Sequence, residues 1–573
     1  MFLRPVDLKK NSKKDMSMFQ EFKLAVLGDC ATQHLCTSIR GYGYEEKLNL
    51  NIFDADYNQI FALIMDETSE LYEFNPDAVL IVMCTQKLYE RFVDTPLNER
   101  HNFGTQIVSE IKNYWSLFQS HSDKKIIQFN FAEIDDRVYG NYGLSKPGSF
   151  IYQLRKINIE LADAVNEYRD VFTVDISYIQ NMMGREAFCD NKLYLSAKMP
   201  YSPMALVRIA YEVVSVIKAV KSIIKKCVVL DLDNTLWGGV IGDDGLSGIE
   251  IGELGVGRAF LEFQQYLKEL TKTGIILCVC SKNDLDKAKE PFEQHPEMLL
   301  RLDDFAMFVA NWEDKASNIR NIADTINLGL DSFVFIDDNP FERDQVKSMI
   351  PEICVPDMPV DPAEYTDYLR SLNLFERISS SEADADRTRQ YREEAGRVTL
   401  KQNYKDYNEY LKSLSMKCIV EPFSEFNFPR IAQLSQRSNQ FNLRTIRYTE
   451  KDVELRANSD DYVTLTFSLK DKFGDYGLIS VVAIKITKKK AFIENWFMSC
   501  RVLKRTMEEY IVNTIIQKLK EKGIEEVTGE YIRTPKNNMV SDIYSRMGFK
   551  EETPCEFTCN LDEYNENQTF IDL

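Results

Sequence analysis

The sequence predicts an α/β chain of three consecutive domains, two built on parallel sheets and a third of mixed α+β order. Three observations carry that prediction. Over most of the chain, apolar runs that end in polar or glycine turns alternate with long helical segments, the order that right-handed βαβ crossovers produce. A small, polar and charged stretch, Ser379-Ser380-Ser381-Glu382-Ala383-Asp384-Ala385-Asp386-Arg387, interrupts the alternation and reads as a linker or an exposed helix start. Beyond it, strand-like runs cluster between helices.

These features place an N-terminal tail at 1–20, one α/β domain at 21–222, a second at 223–375, a linker at 376–398 and the α+β domain at 399–573. In the first domain, strands are expected at Lys23–Leu27, Ala78–Cys84, Lys125–Phe131 and Val171–Ile176, with helices at Ile151–Tyr168 and Met204–Lys221. In the second, Val228–Leu230, Gly274–Cys280, Met307–Asn311 and Ser332–Ile336 read as strands, Ile353–Pro359 as a final strand and Pro362–Leu374 as a helix. In the third, helices at Leu400–Leu414 and Phe428–Gln436 precede strands at Tyr462–Phe467, Gly477–Ile486 and Ala491–Phe497. Helix, strand and helix follow at Leu503–Lys518, Glu525–Glu530 and Asn537–Met547.

The strand ends of the second domain carry the chemistry. Asp231 and Asp233 stand one residue apart at the end of the first apolar run, a spacing that puts both carboxylates on one side of the sheet's carboxyl edge. An acidic turn placed for solubility would look the same. The next three runs, however, end in Ser281, in the segment leading to Lys315, and in Asp337-Asp338. Carboxylates, a hydroxyl and an ammonium suit phosphoryl transfer: a hard cation such as Mg2+ offsets the negative charge, an oxygen nucleophile attacks in line, and Ser281 and Lys315 hold phosphoryl oxygens. Asp231 with Asp337 or Asp338 are the candidate ligands.

Composition excludes several other classes. A net charge of −19 without a basic patch argues against nucleic-acid and membrane-surface partners. The twelve cysteines form no CxxC pair and only four histidines are present, so neither a disulfide framework nor a zinc site is suggested. With no apolar run of membrane-spanning length and no signal-like start, a cytoplasmic location is expected.

The four motifs Asp231-Leu232-Asp233-Asn234-Thr235, Ser281, Lys315 and Asp337-Asp338 resemble those of the haloacid dehalogenase superfamily. The resemblance implies a Rossmann-like sheet with a minimal cap, Asp231 as nucleophile, Asp233 as general acid/base, and Mg2+ held by Asp231, Asp337 and the Asp233 carbonyl, with Asp338 beside them. More narrowly, Leu236-Trp237-Gly238-Gly239, Cys280-Ser281-Lys282-Asn283-Asp284 and Phe335-Ile336-Asp337-Asp338-Asn339-Pro340 resemble the FkbH-like subgroup. That implies transfer of a glyceryl unit from 1,3-bisphosphoglycerate to an acyl carrier protein, with Asn234, Thr235, Trp237, Gly238 and Asn283 as candidate substrate-binding residues. Such a transfer needs a thiol. Cys280 is the first candidate, unless it is a small apolar residue closing a buried strand; Cys500 and Cys30 are alternatives.

Gly28-Asp29-Cys30 resembles the first block of SGNH hydrolases, within a flavodoxin-like parallel sheet, and Asn130 matches their oxyanion asparagine. Asp190-Asn191-Lys192-Leu193 stands where a catalytic Asp-x-x-His belongs, so this domain reads as a degenerate scaffold or docking surface. The order of elements after 399 resembles a GNAT-like acyltransferase, with Arg501, Lys504 and Arg505 either meeting a coenzyme A or phosphopantetheine phosphate or serving as surface charges. Gln436–Leu443 either lines such a cleft or forms a capped loop. Two alternatives to glyceryl transfer remain: a simple phosphomonoester hydrolase in surface-polysaccharide or secondary-metabolite biosynthesis, and a catalytically decayed binding scaffold.

Overall fold

The computed structural model describes residues 3–572 apart from 135, 169, 379–385, 439, 535 and 536. Its contacts divide the chain into two compact units rather than three: Met1–Lys226 with Asp331–Val334 and Met358–Glu382, and Cys227–Leu330 with Phe335–Asp357 and Ala383–Leu573. Of the expected linker at 376–398, residues 379–385 lie outside the described residues.

The first unit is built on β1 (Gln20–Gly28), β2 (Leu48–Asp54), β3 (Ala78–Val82), β4 (Lys125–Phe129) and β5 (Val171–Val174), all parallel in the order β2-β1-β3-β4-β5. The chain reverses its winding between β1 and β3, where Cys30 and Cys84 follow the strand ends. Helices seal both faces, with Leu24, Val26 and Leu80 in one core and Ala25, Val79 and Ile81 in the other. The segment expected to be a tail contains the helix Pro5–Asn11, whose Leu8 is buried in the first of these cores.

A four-stranded sheet follows in the chain, β6 (Cys227–Leu230), β7 (Ile276–Ser281), β8 (Phe305–Ala310) and β9 (Phe333–Ile336), ordered β8-β7-β6-β9. β6 and β7 are buried throughout, which explains their unbroken apolar runs. Ile353–Pro359 forms no strand; Phe335 N–H donates to the Cys354 carbonyl and the segment runs on as loop. The helix Arg387–Gln402, which begins within the expected linker, lies against β8, and Arg392 Nη1 reaches Asp303 Oδ1 at 2.5 Å. It covers the sheet edge that β8 would otherwise expose.

The remaining sheet is mixed, built from β10 (Met416–Glu421), β11 (Tyr462–Lys470), β12 (Asp475–Thr487), β13 (Lys490–Met498), β14 (Glu526–Glu530), β15 (Lys550–Thr553), β16 (Glu556–Asn560) and β17 (Ile571–Asp572), in the order β15-β16-β14-β13-β12-β11-β10-β17. β13 and β14 pair in parallel only from Lys490↔Glu526 to Ile493↔Gly529. Past that point Phe441–Leu443 enters between them: Met498 N–H donates to the Phe441 carbonyl, Leu443 N–H to the Trp496 carbonyl, and Ile532 N–H to the Leu443 carbonyl. No helix among the described residues is long and apolar enough to cross a membrane.

Arg397 joins the helix Arg387–Gln402 to the β11–β12 turn. Its guanidinium, 2% exposed, meets the fully buried Asp471 carboxylate at 2.7 and 2.9 Å and stacks on Tyr476. Asp471→Ala removes the nearest carboxylate from that guanidinium, leaving only the longer pairs to Glu393 and Glu394 at 3.7 and 3.4 Å, and should destabilise this unit by about 3 kcal/mol, read as a lowered calorimetric transition.

Candidate functional site

The strand ends β6, β7 and β9 and the helix Lys315–Ile326 after β8 bring the site together. β6 stops at Leu230, and Asp231 continues the sheet through its N–H, which donates to the Ile336 carbonyl. Asp314 caps the helix Lys315–Ile326, its side chain accepting from Ser317 N, and this sets Lys315 at the first helical position. From there Lys315 Nζ reaches Asp337 Oδ2 at 2.6 Å and Asp231 Oδ2 at 3.1 Å. All three side chains are nearly closed to solvent.

Ligand oxygens of Asp231, Asp337 and Asp338 lie within 4.8 Å of one another. Asp231 Oδ1 is buried and has no hydrogen-bond partner. An orphaned carboxylate oxygen beside two further carboxylates is what a hard divalent cation requires, so this set fits one. Burial, and next the Asp231 charge, raises Asp337 to about 6, with Lys315 opposing. Burial and the same charge also raise Asp338. Burial lowers Lys315, yet Asp231 and Asp337 together carry it above its ordinary value, so it is a fixed cation.

Asp233 stands apart from the cation set. Its Oδ1 accepts from Trp237 Nε1 at 2.9 Å and Ile241 N at 3.0 Å, and its Oδ2 accepts from Asn283 Nδ2 at 3.1 Å. Burial lifts its carboxyl above the usual range, and the Ile241 and Trp237 donors pull it back. A carboxyl aimed by three donors and biased toward its protonated form suits proton transfer, not cation binding through the side chain.

The residues expected to bind substrate have other work. Trp237 is fully buried and packs edge-on to Phe292, so its contact with the site is its bond to Asp233. Thr235 accepts from Asp338 N at 3.2 Å, which ties the β6 turn to the β9 turn. Asn234 adopts a left-handed φ of 54° and accepts from Gly239 N. Gly238 pairs with Glu250 through two backbone bonds, and a Cβ there would crowd Glu250 and Phe260. Asn283 is spent on Asp233 and on Asp284 N. Ser281, 2% exposed, ends β7 beside them. Sequence reasoning missed Arg343, whose Nη1 donates to the carbonyls of Asp337 and Asp338 at 2.8 and 2.7 Å; its signal was a lone arginine one turn after Asn339-Pro340.

The thiols fare worse. Cys280 is fully buried with its Sγ facing the Lys315 carbonyl, and burial pushes the thiol up to about 12. Cys30 is buried beside Cys84 and Asp29; its bond with Cys84 and then burial raise it well above its ordinary value. Neither environment supplies an accessible thiolate. The Cys500 side chain lies outside the described residues. Asn130 is not an oxyanion donor either: it accepts from Ile176 and Ser177 N and donates to Asp175, capping a helix.

In the C-terminal sheet, Arg505 is paired with Glu394 and Asp471 and donates to the Tyr476 hydroxyl, and Glu508 lies buried in the first turn of the helix Met507–Glu521. A carboxylate there repels a phosphate. Of the stretch Gln436–Leu443, Gln436 and Arg437 end the helix Phe428–Arg437, and Phe441–Leu443 fills the gap between β13 and β14 instead of lining it.

The FkbH N-terminal domain family matches residues 23–218. No curated protein matches the chain. Among solved structures, the N-terminal part of the protein BF1531 from Bacteroides fragilis, containing a phosphatase domain complexed with Mg, is 42% identical, with a TM-score of 0.63; the match covers 66% of this chain and 100% of that one. The ribosomal-protein-S18-alanine N-acetyltransferase from Escherichia coli is 14% identical over 26% of this chain and 98% of its own, with a TM-score of 0.21.

Asp337 must shed its proton to hold a divalent cation, so affinity is full above about 6 and is lost as pH falls through that value. Calorimetric titration with MgCl2 should give a dissociation constant about tenfold weaker near pH 5 than near pH 7.5.

Proposed function

The chain belongs to the family of the Bacteroides fragilis phosphatase-domain protein, and from that premise we propose that it is a Mg2+-dependent phosphatase or phosphotransferase that works through an aspartyl-phosphate on Asp231. The observation that carries this reading is the meeting of Asp231, Asp337 and Asp338, the first two bridged by the Lys315 ammonium, with Asp233 held separately at the same strand end.

Asp231, Asp337 and Asp338 are the side chains that would hold the ion. When bound, Mg2+ neutralises phosphoryl charge and draws the substrate phosphate toward the carboxylates. A carboxylate oxygen of Asp231 attacks phosphorus while the bond from phosphorus to the organic oxygen breaks, and Asp233 gives that oxygen its proton. In the second half, Asp233 takes a proton from water, the water oxygen attacks phosphorus, and the bond to Asp231 breaks to release phosphate. Lys315, bonded to Asp231 in the resting protein, orients it, and Ser281, at the end of β7, would hold a phosphoryl oxygen.

In its finer form the proposal makes the substrate a phosphorylated three-carbon acid such as 1,3-bisphosphoglycerate and the final acceptor an acyl carrier protein, supported by the FkbH-type N-terminal domain. A plain phosphomonoester hydrolase is the second reading. The burial of Cys280 and Cys30 favours it, because hydrolysis needs no thiol. A decayed scaffold would not keep Asp231, Asp233, Lys315 and Asp337 in bonding geometry.

Asp231→Asn should abolish Mg2+-dependent phosphate release, and undiminished turnover would reject the nucleophile. Intact-mass measurement after incubation with 1,3-bisphosphoglycerate and candidate carriers separates the two readings: an acyl adduct on a cysteine supports transfer, and phosphate release without one supports hydrolysis. Trp237→Phe removes a donor that lowers Asp233, so the alkaline limb of the pH–rate profile, where the acid loses its proton, should move to higher pH.

A further inference from the structure

Three of the four tryptophans are fully buried, whereas Trp312 is 71% exposed. Its position is not that of a stray surface residue. It directly follows Asn311, whose N–H donates to the Ser281 carbonyl, and precedes Lys315 by three residues. Its Nε1 donates to Asp284 Oδ1 at 3.1 Å; the Asp284 N–H donates to Asn283 Oδ1 at 2.9 Å, and Asn283 in turn donates to Asp233. Two side chains therefore link the indole to the carboxyl that handles the proton. One polar handle fixes the ring and leaves its faces in solvent.

Phe341, 70% exposed, is the counterpart after β9. Its N–H donates to Asn339 Oδ1 at 3.0 Å, and the Asn339 N–H donates to Asp337 Oδ1 at 2.9 Å. In the order β8-β7-β6-β9, Trp312 follows one outer strand and Phe341 the other, with Ser281 and Asp231 on the strands between. Strand spacing alone puts the two outer strands about 14 Å apart, room for an organic group as well as a phosphate. Between β6 and β7 the chain supplies only the short helix Ile241–Asp244 and the crossover helix Gly255–Lys272, so the rim of the site is made by the strand-end turns themselves.

We propose that Trp312, with Phe341 opposite, is the subsite for the organic group of the phosphorylated substrate, and that this group carries apolar surface extending beyond its phosphate. The inference rests on the phosphoryl-transfer reading in its hydrolase form, not on a three-carbon acid as substrate, and adds the determinant of substrate size to it. An aromatic face sheds water when such a group lies on it, and a substrate too short to reach the rim gains nothing.

The test compares phenyl phosphate with acetyl phosphate, each with Mg2+. Trp312→Ala should raise KM for phenyl phosphate at least about fivefold with kcat nearly kept, raise KM for acetyl phosphate far less, and be largely rescued by Trp312→Phe. Binding is read separately in Asp231→Asn, where phenyl phosphate should shift tryptophan emission saturably and inorganic phosphate should not; Trp312→Phe in that background should remove the shift. Equal KM changes for the two esters, or emission unmoved by phenyl phosphate, would overturn the subsite. Absent turnover of both esters by the unaltered protein, alongside a saturable emission shift, would defeat the phosphatase reading and leave the subsite standing.

Discussion

The Lys315 ammonium is the interaction on which this site depends. Three carboxylates with oxygens inside 4.8 Å repel one another in a buried setting, and burial first, with the Asp231 charge next, pushes Asp337 and Asp338 toward their neutral forms. A single cation bridging Asp231 and Asp337 lets these strand ends close on one another. It also leaves Asp231 Oδ1 buried and unpaired, so charge balance in the resting protein and readiness for a cation come from one arrangement.

Around that centre lies a layer of side chains whose task is orientation. Trp237 and Asn283 hold Asp233, Thr235 holds the Asp338 amide, and Arg343 grips the carbonyls of Asp337 and Asp338. Buried donors aimed at a carboxylate cost nothing further when the group reacts. The residues that meet the substrate's organic part therefore belong on the exposed rim, where Trp312 and Phe341 stand.

Legibility followed burial. The runs at β3, β6, β7 and β9 were plain because both faces are covered and nearly every residue is apolar. β2 was missed because Asn49 and Asn51 interrupt an edge strand, and β10 because its outward face carries Lys417 and Glu421. Ile353–Pro359 looked like a strand by composition, yet two prolines deny it ladder donors. In the C-terminal sheet, sequence order left a ligand cleft open as a possibility, while the chain closes it with Phe441–Leu443, a long-range pairing that no local pattern encodes.

The sequence by itself determined which chemistry is present: two carboxylate pairs, a hydroxyl and a lysine, each at the end of an apolar run, and hence each at one edge of a parallel sheet. Strand periodicity and turn residues are local properties, so they survive being read one segment at a time. What only the tertiary structure decided is the division of labour among neighbours in the chain. Asp231 joins the cation set while Asp233 is drawn away by Trp237 and Asn283; Cys280 is sealed behind the Lys315 carbonyl while Trp312 stays in solvent. Those assignments depend on which distant side chain donates to which oxygen, and proximity of that kind arises only when the strands lie side by side.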